Sequence, residues 1–254
     1  MGFFQRLKKE VWKVVRGILI LIISASLVFT IIHYAKKTKK PDSVSLIIDS
    51  DSANDIDDLF AITIALVDPK IHLTGLNSAQ WNIHPRGGDS SVYQSQKINE
   101  ELLLLHDRTD IPHPTGGADQ TGYWGDTKPI ESAAATLIRS EAKKLKYGEK
   151  LNVVTLGAPT NLASAILLDT TLIGKVRWYA LGMKYDEKTQ VWNKNEFNVR
   201  NDLDAVDYLL NREDLETHIM PANIAEKYVF NKTETFDLFL KRGPKYDFLV
   251  DRWR

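Results

Sequence analysis

The chain of 254 residues contains no cysteine, which excludes disulfide staples, thiolate nucleophiles and cysteine-based zinc sites. Histidine is scarce, with six residues, and no two of them form an HxxxH or HExxH metal pair. Internal repeats are absent, and low complexity is confined to one short lysine-rich stretch, KKTKKPDS, at 36–43. There is no net charge either, since 33 Lys and Arg balance 33 Asp and Glu, but the balance is uneven along the chain. Residues 1–40 hold nine basic residues and one acid, Glu10, so the remainder has 24 basic against 32 acidic side chains, a net charge of about −8. An acidic body lacks the basic footprint of a nucleic-acid binder and suits a site that collects a cation.

What is present first is one long apolar run. Residues 17–35, GILILIISASLVFTIIHYA, carry no Asp, Glu, Lys or Arg. At roughly 1.5 Å per residue, a helix of this length reaches about 28 Å, close to a bilayer's hydrocarbon thickness. The run has no continuous polar stripe and no small-x-small cleavage site after it, so the expectation is an uncleaved single-pass membrane anchor. Five basic residues precede it within 1–16 and four follow it in the linker, a small bias that puts the N-terminus in the cytoplasm and the main domain outside. The remaining residues, 44–254, are enough for one domain.

Within that domain, short β-rich apolar segments alternate with helical ones. Strands are expected at 44–49, 71–80, 151–157, 176–182 and 216–221, and helices at 57–68, 91–106, 131–145, 161–169, 201–211 and 233–242. This alternation predicts an α/β fold: a single Rossmann-like domain with a mainly parallel open sheet flanked by helices and preceded by the transmembrane helix. Functional residues are then expected just after the strands.

The segment after the first strand meets that expectation. Asp49, Asp51, Asp55, Asp57 and Asp58 place five carboxylates within ten residues. Helix capping needs one or two acids, whereas five repel one another unless a cation lies among them. Oxygen ligands suit a hard divalent ion. An EF-hand is excluded, because loop positions 5, 6 and 12 would be Ala53, Asn54 and Phe60. Ile48-Asp49-Ser50-Asp51 also fits the start of a haloacid-dehalogenase-type phosphatase, although that reading leaves Asp57-Asp58 without a role.

IIDSDSANDIDDLFAI resembles the N-terminal signature of the nucleoside hydrolase family, inosine- and uridine-preferring enzymes included. LTGLNSAQWN (73–82), LNVVTLGAPTNLA (151–163) and NEFNVRNDLDAVDYLL (195–210) resemble three further segments of that family in the same order. The resemblance implies a hydrolase that splits the N-glycosidic bond of a ribonucleoside into ribose and free base, within purine or pyrimidine salvage, using Ca²⁺. It assigns Asp51 as metal ligand and general base, Asp58 as the main metal ligand, and Leu156 as a ligand through its backbone carbonyl. Asp57, Asn82, Glu196 and Asn198 would bind the substrate, with Asn193 or Asn195 as a helper, Asp49 as support and His84 within reach of the site. A homo-oligomer is compatible with it.

One departure stands out. Family members carry a further calcium-binding Asp on a C-terminal helix, and here the expectation is that the corresponding stretch is missing, with Asp251 no substitute. Two outcomes follow: an active membrane-tethered ribohydrolase, or a protein that binds ribosides or Ca²⁺ with impaired catalysis.

Overall fold

The computed structural model describes residues 43–122 and 125–254. The basic segment 1–16, the apolar run 17–35 and the linker as far as 42 lie outside the described residues. Among the described residues no helix is long and apolar enough to cross a membrane.

Residues Asp42–Arg254 form one compact unit. It begins with β1 (Val44–Ser50), α1 (Asp57–Val67), β2 (Ile71–Ser78), α2 (Ser91–Leu105) and α3 (Ala133–Lys144). β3 (Leu151–Thr155), α4 (Thr160–Leu168), β4 (Val176–Leu181) and the hairpin of β5 (Lys184–Asp186) and β6 (Val191–Asn193) follow. The chain continues through α5 (Phe197–Asn201), α6 (Leu203–Leu210), β7 (Glu216–Met220), α7 (Ala222–Ala225), α8 (Lys232–Phe239) and α9 (Pro244–Trp253). Five strands make a parallel sheet in the order β2-β1-β3-β4-β7, while β5 and β6 pair antiparallel on their own.

Side chains alternate across a strand, so neighbouring isoleucines of β1 serve opposite layers. Ile47 packs with Ile138, Leu162, Ile166 and Trp178 beneath α3, α4 and α6. Ile48 packs with Leu59, Ile62, Leu102 and Leu249 beneath α1, α2 and α9. Burying a side chain of this size contributes about 1.5–3 kcal/mol, which fixes the register of the central strand from both faces.

The chain leaves β1 to one side for β2 and to the other for β3, so the order of the sheet reverses there. The crevice between the C-terminal ends of β1 and β3 is the place where open parallel sheets hold ligands.

Three local features differ from expectation. The β5–β6 hairpin has no apolar alternation strong enough to announce it, and all three residues of β6 are exposed. The helix expected over 201–211 is two helices, α5 and α6, interrupted at Asp202 with φ −155° and ψ 79°. The terminal residues form α9, started by Pro244 in its first turn. Asp251 lies on that helix with an exposed side chain paired to Arg254 at 3.0 Å.

Candidate active site

β1 runs straight into the acid-rich loop, and the side chains separate by depth. Asp49 is fully buried at the strand end, where its Oδ1 accepts from Asn77 Nδ2 at 2.6 Å and the Asn161 amide also lies against the carboxylate. Burial pushes its carboxyl up to about 7, against which the Asn77 hydrogen bond pulls down. A phosphatase of haloacid-dehalogenase type would need Asp49 as an accessible nucleophile; sunk beneath the cleft, it cannot take that part, and that reading is set aside.

Asp51 and Asp58 are both buried. Burial and then the charge of Asp58 raise the Asp51 carboxyl well above the usual carboxylate range. Burial and then the charge of Asp57 raise Asp58, and a hydrogen bond from Ser50 Oγ at 2.7 Å works the other way. Asp57, exposed beside Asp55, is raised by the partial burial of its carboxyl and by its neighbour's charge.

Gly157, just after β3, lets the chain close over Asp51. A Cβ there would stand 2.7 Å from Asp51 Oδ1. The preceding carbonyl, that of Leu156, accepts from Asn198 Nδ2 at 2.6 Å, and the same amide donates to the Leu181 carbonyl at 3.1 Å. Asn198 therefore ties the end of β3 to the end of β4. Glu196 caps α5 through Asn198 N at 3.1 Å and Val199 N at 3.2 Å, and it also accepts from Met183 N at 3.3 Å.

Asp51, Asp57, Asp58, Leu156, Glu196 and Asn198 line one cleft of about 560 Å³. Six of the seven residues assigned from the sequence thus come together. Asn82 does not. Its Nδ2 donates to the Ala118 carbonyl at 2.7 Å and its Oδ1 accepts from Ser91 Oγ, so its amide anchors the loop after β2. Asn193 and Asn195 do not line this cleft either. Trp81 is buried, its Nε1 donating to the Ser91 carbonyl at 3.1 Å.

The cleft also includes His84, Arg86, Phe197 and Tyr228, of which the sequence offered only His84. The position of Arg86, four residues past Asn82 on the same loop, is the one signal that could have drawn attention to it.

Asp202 went unassigned and has a supporting role. Its carboxylate accepts from Thr160 Oγ1 at 2.7 Å, Thr121 Oγ1 at 2.8 Å, Thr121 N at 2.9 Å and Ala205 N at 3.0 Å. It caps α6 and fastens the loop before α3 and the start of α4 to it. Asp202→Ala would leave these donors unsatisfied in a buried place and cost about 2 kcal/mol or more, read as a lower urea midpoint, with Asp202→Asn milder.

A metal ion can be weighed against these groups. The donors are of the right kind for a hard cation, two buried carboxylates and a carbonyl oxygen. The burial and crowding of charge at Asp51, Asp57 and Asp58, with no Lys or Arg paired to Asp51 or Asp58 among the described residues, is what a divalent ion would relieve. Among the described residues no group of three or more acidic or histidine side chains converges as a metal cage. Water or substrate hydroxyls would have to supply the rest of the shell.

The family model of the inosine-uridine preferring nucleoside hydrolases matches residues 46–251. A probable uridine nucleosidase 2 of Arabidopsis thaliana is 31% identical over 193 residues, which are 65% of this chain and 55% of that protein. A probable uridine nucleosidase 2 of Oryza sativa subsp. japonica is 25% identical over 227 residues, 83% of this chain and 66% of that one. This chain therefore spans less than two thirds of the length of these relatives. Among solved structures, a plant nucleoside hydrolase, PpNRh1, superposes with a TM-score of 0.64 at 19% identity, covering 84% of this chain and 70% of its own, a likeness of fold. Matched from Leu46 to Asp251, this chain belongs to the inosine-uridine preferring nucleoside hydrolase family.

Proposed function

We propose that the protein hydrolyses the N-glycosidic bond of ribonucleosides to ribose and free base. The observation that carries this reading is the meeting, at the switch point of the sheet, of two repelling buried carboxylates with Glu196 and Asn198 on the opposite wall. Such a site is negative where a ribosyl cation develops and polar where sugar hydroxyls need partners.

Asp51 takes a proton from the attacking water, whose oxygen bonds to C1′ as the C1′–N bond breaks and its electron pair remains on the base. Asp57, exposed at the cleft, accepts from a ribose hydroxyl, and Glu196 with Asn198 holds the sugar from the other side. Asp51, Asp58 and the Leu156 carbonyl would hold a calcium ion. When bound, it supplies positive charge that acidifies water and chelates vicinal hydroxyls. The apolar run 17–35 would tether the domain as a single-pass membrane protein, facing away from the cytoplasm.

A second reading, binding of ribosides or Ca²⁺ with little turnover, draws on the lack of a three-residue cage among the described residues. Ribose release from uridine and inosine, with Ca²⁺ and then with EGTA, separates the two. Turnover that falls at least about 100-fold on chelation is expected. Calcium-dependent thermal stabilisation with no ribose released would leave only the binding reading standing.

A further inference from the structure

The sugar-holding groups leave one part of the cleft without a role, the wall built by the loop after β2. Its shape is fixed by backbone contacts. Trp81 O accepts from His84 N at 3.2 Å, His84 O accepts from Gly87 N at 2.8 Å, and Gln94 Nε2 donates to the Arg86 carbonyl at 3.2 Å. Gly87 lies so close to Trp81 that a Cβ would meet its carbonyl oxygen at 2.5 Å. His84 Nδ1 accepts from Arg86 N at 3.1 Å.

Among the described residues Arg86 is the sole Lys or Arg lining the cleft, which also presents Asp51, Asp55, Asp57, Asp58, Glu196 and Glu226. Among six carboxylates it nonetheless forms no ion pair with any described residue. With the described residues its guanidinium makes one hydrogen bond, from Nη2 to the Asn54 carbonyl at 3.4 Å. Of the five N–H donors of an arginine, four are thus left over in a site whose other charged groups are all acceptors. A guanidinium so placed matches a ligand atom that carries or gains negative charge, and the sugar has none.

Resting on the reading of the site as a ribohydrolase, we propose that Arg86 holds the departing base. As the C1′–N bond breaks, its electron pair spreads over the ring onto an exocyclic carbonyl oxygen, and the guanidinium donates hydrogen bonds to that oxygen. Arginine keeps its protons, so the base anion takes its final proton from solvent water. The ligand class is a nucleobase with a carbonyl oxygen on the edge facing the loop.

The test compares kcat for uridine, inosine and 4-nitrophenyl riboside, whose leaving group already delocalises its charge. Arg86→Gln is expected to lower kcat for the two nucleosides about 100-fold and for the nitrophenyl riboside by less than about tenfold. Arg86→Lys, which keeps the charge without the planar fork, should recover part of the loss. Equal losses on all three substrates, or no loss on any, would overturn the role of Arg86 while leaving the site reading intact. An unsubstituted protein that releases ribose from none of the three would sink both.

Discussion

Asp51→Asn is expected to lower ribose release from uridine about 10²–10⁴-fold while making the calcium-free protein more stable. The first effect is the loss of the general base. The second follows from the burial of Asp51, which with the charge of Asp58 beside it raises the cost of ionising the Asp51 carboxyl. Removing one carboxylate removes that repulsion, and each kcal/mol relieved raises the melting midpoint by about 2–4 °C in a domain of this size. Activity and stability should therefore move in opposite directions, which a general loss of folding cannot mimic. A variant that retains a tenth of the activity would remove Asp51 from the role of base. Acid titration adds a check on the unsubstituted, calcium-free protein. Asp49 holds its proton up to about 7 in the fold, against 3.8 in the unfolded chain. Between these values the folded state binds more protons than the unfolded one. Stability should be greatest below about pH 4 as far as this group is concerned, and should decline as the pH rises towards 7.

Gly157→Ala carries the second large effect. The added methyl group would stand 2.7 Å from Oδ1, 2.8 Å from Cγ and 3.0 Å from Cβ of Asp51. Either the loop after β3 retreats or the carboxylate swings aside. Retreat would also disturb the Leu156 carbonyl one residue earlier. A displacement of about 1 Å at a catalytic group costs about 100-fold in turnover, and the overpacking costs about 1–3 kcal/mol of stability. Gly174→Ala, where nothing stands within 4 Å, is the matched control and should leave both turnover and melting midpoint unchanged. Unimpaired turnover in Gly157→Ala would mean that Asp51 is not held where the chemistry needs it.

The sheet and the acid loop were legible because each leaves a strong local signal. A strand covered on both faces is rich in apolar and β-branched residues, and VSLIID, LNVVT and VRWYAL are short runs of mostly that kind between helical stretches. The clustering of Asp51, Asp57 and Asp58 needs no tertiary information, since a single loop places them together. Glu196 and Asn198 were found through the resemblance of their segment, and the structure adds that both are engaged in holding the backbone as well as lining the cleft. Asn82 does not line the cleft, because an asparagine in the loop after a strand can turn either way. Here the Ala118 carbonyl and the Ser91 hydroxyl hold it away from the cleft. Asp202 was read as part of a continuous helix, since nothing in NDLDAVDYLL shows that two threonines from distant loops would converge on it. Arg86 escaped notice for a related reason. An isolated arginine on a polar loop looks like any surface cation until the carboxylates around it are seen in space.

The loop after β2 and the helix after β4 belong to strands separated by two others, yet they touch. Asn201 Oδ1 accepts from Ile83 N at 3.1 Å, and the Asn201 carbonyl accepts from Gln80 Nε2 at 2.8 Å. These bonds bridge the mouth of the crevice between the ends of β1 and β3. The loop bearing Arg86 and the helix capped by Glu196 are therefore stitched together through Asn201, a crosspiece between two otherwise distant strands.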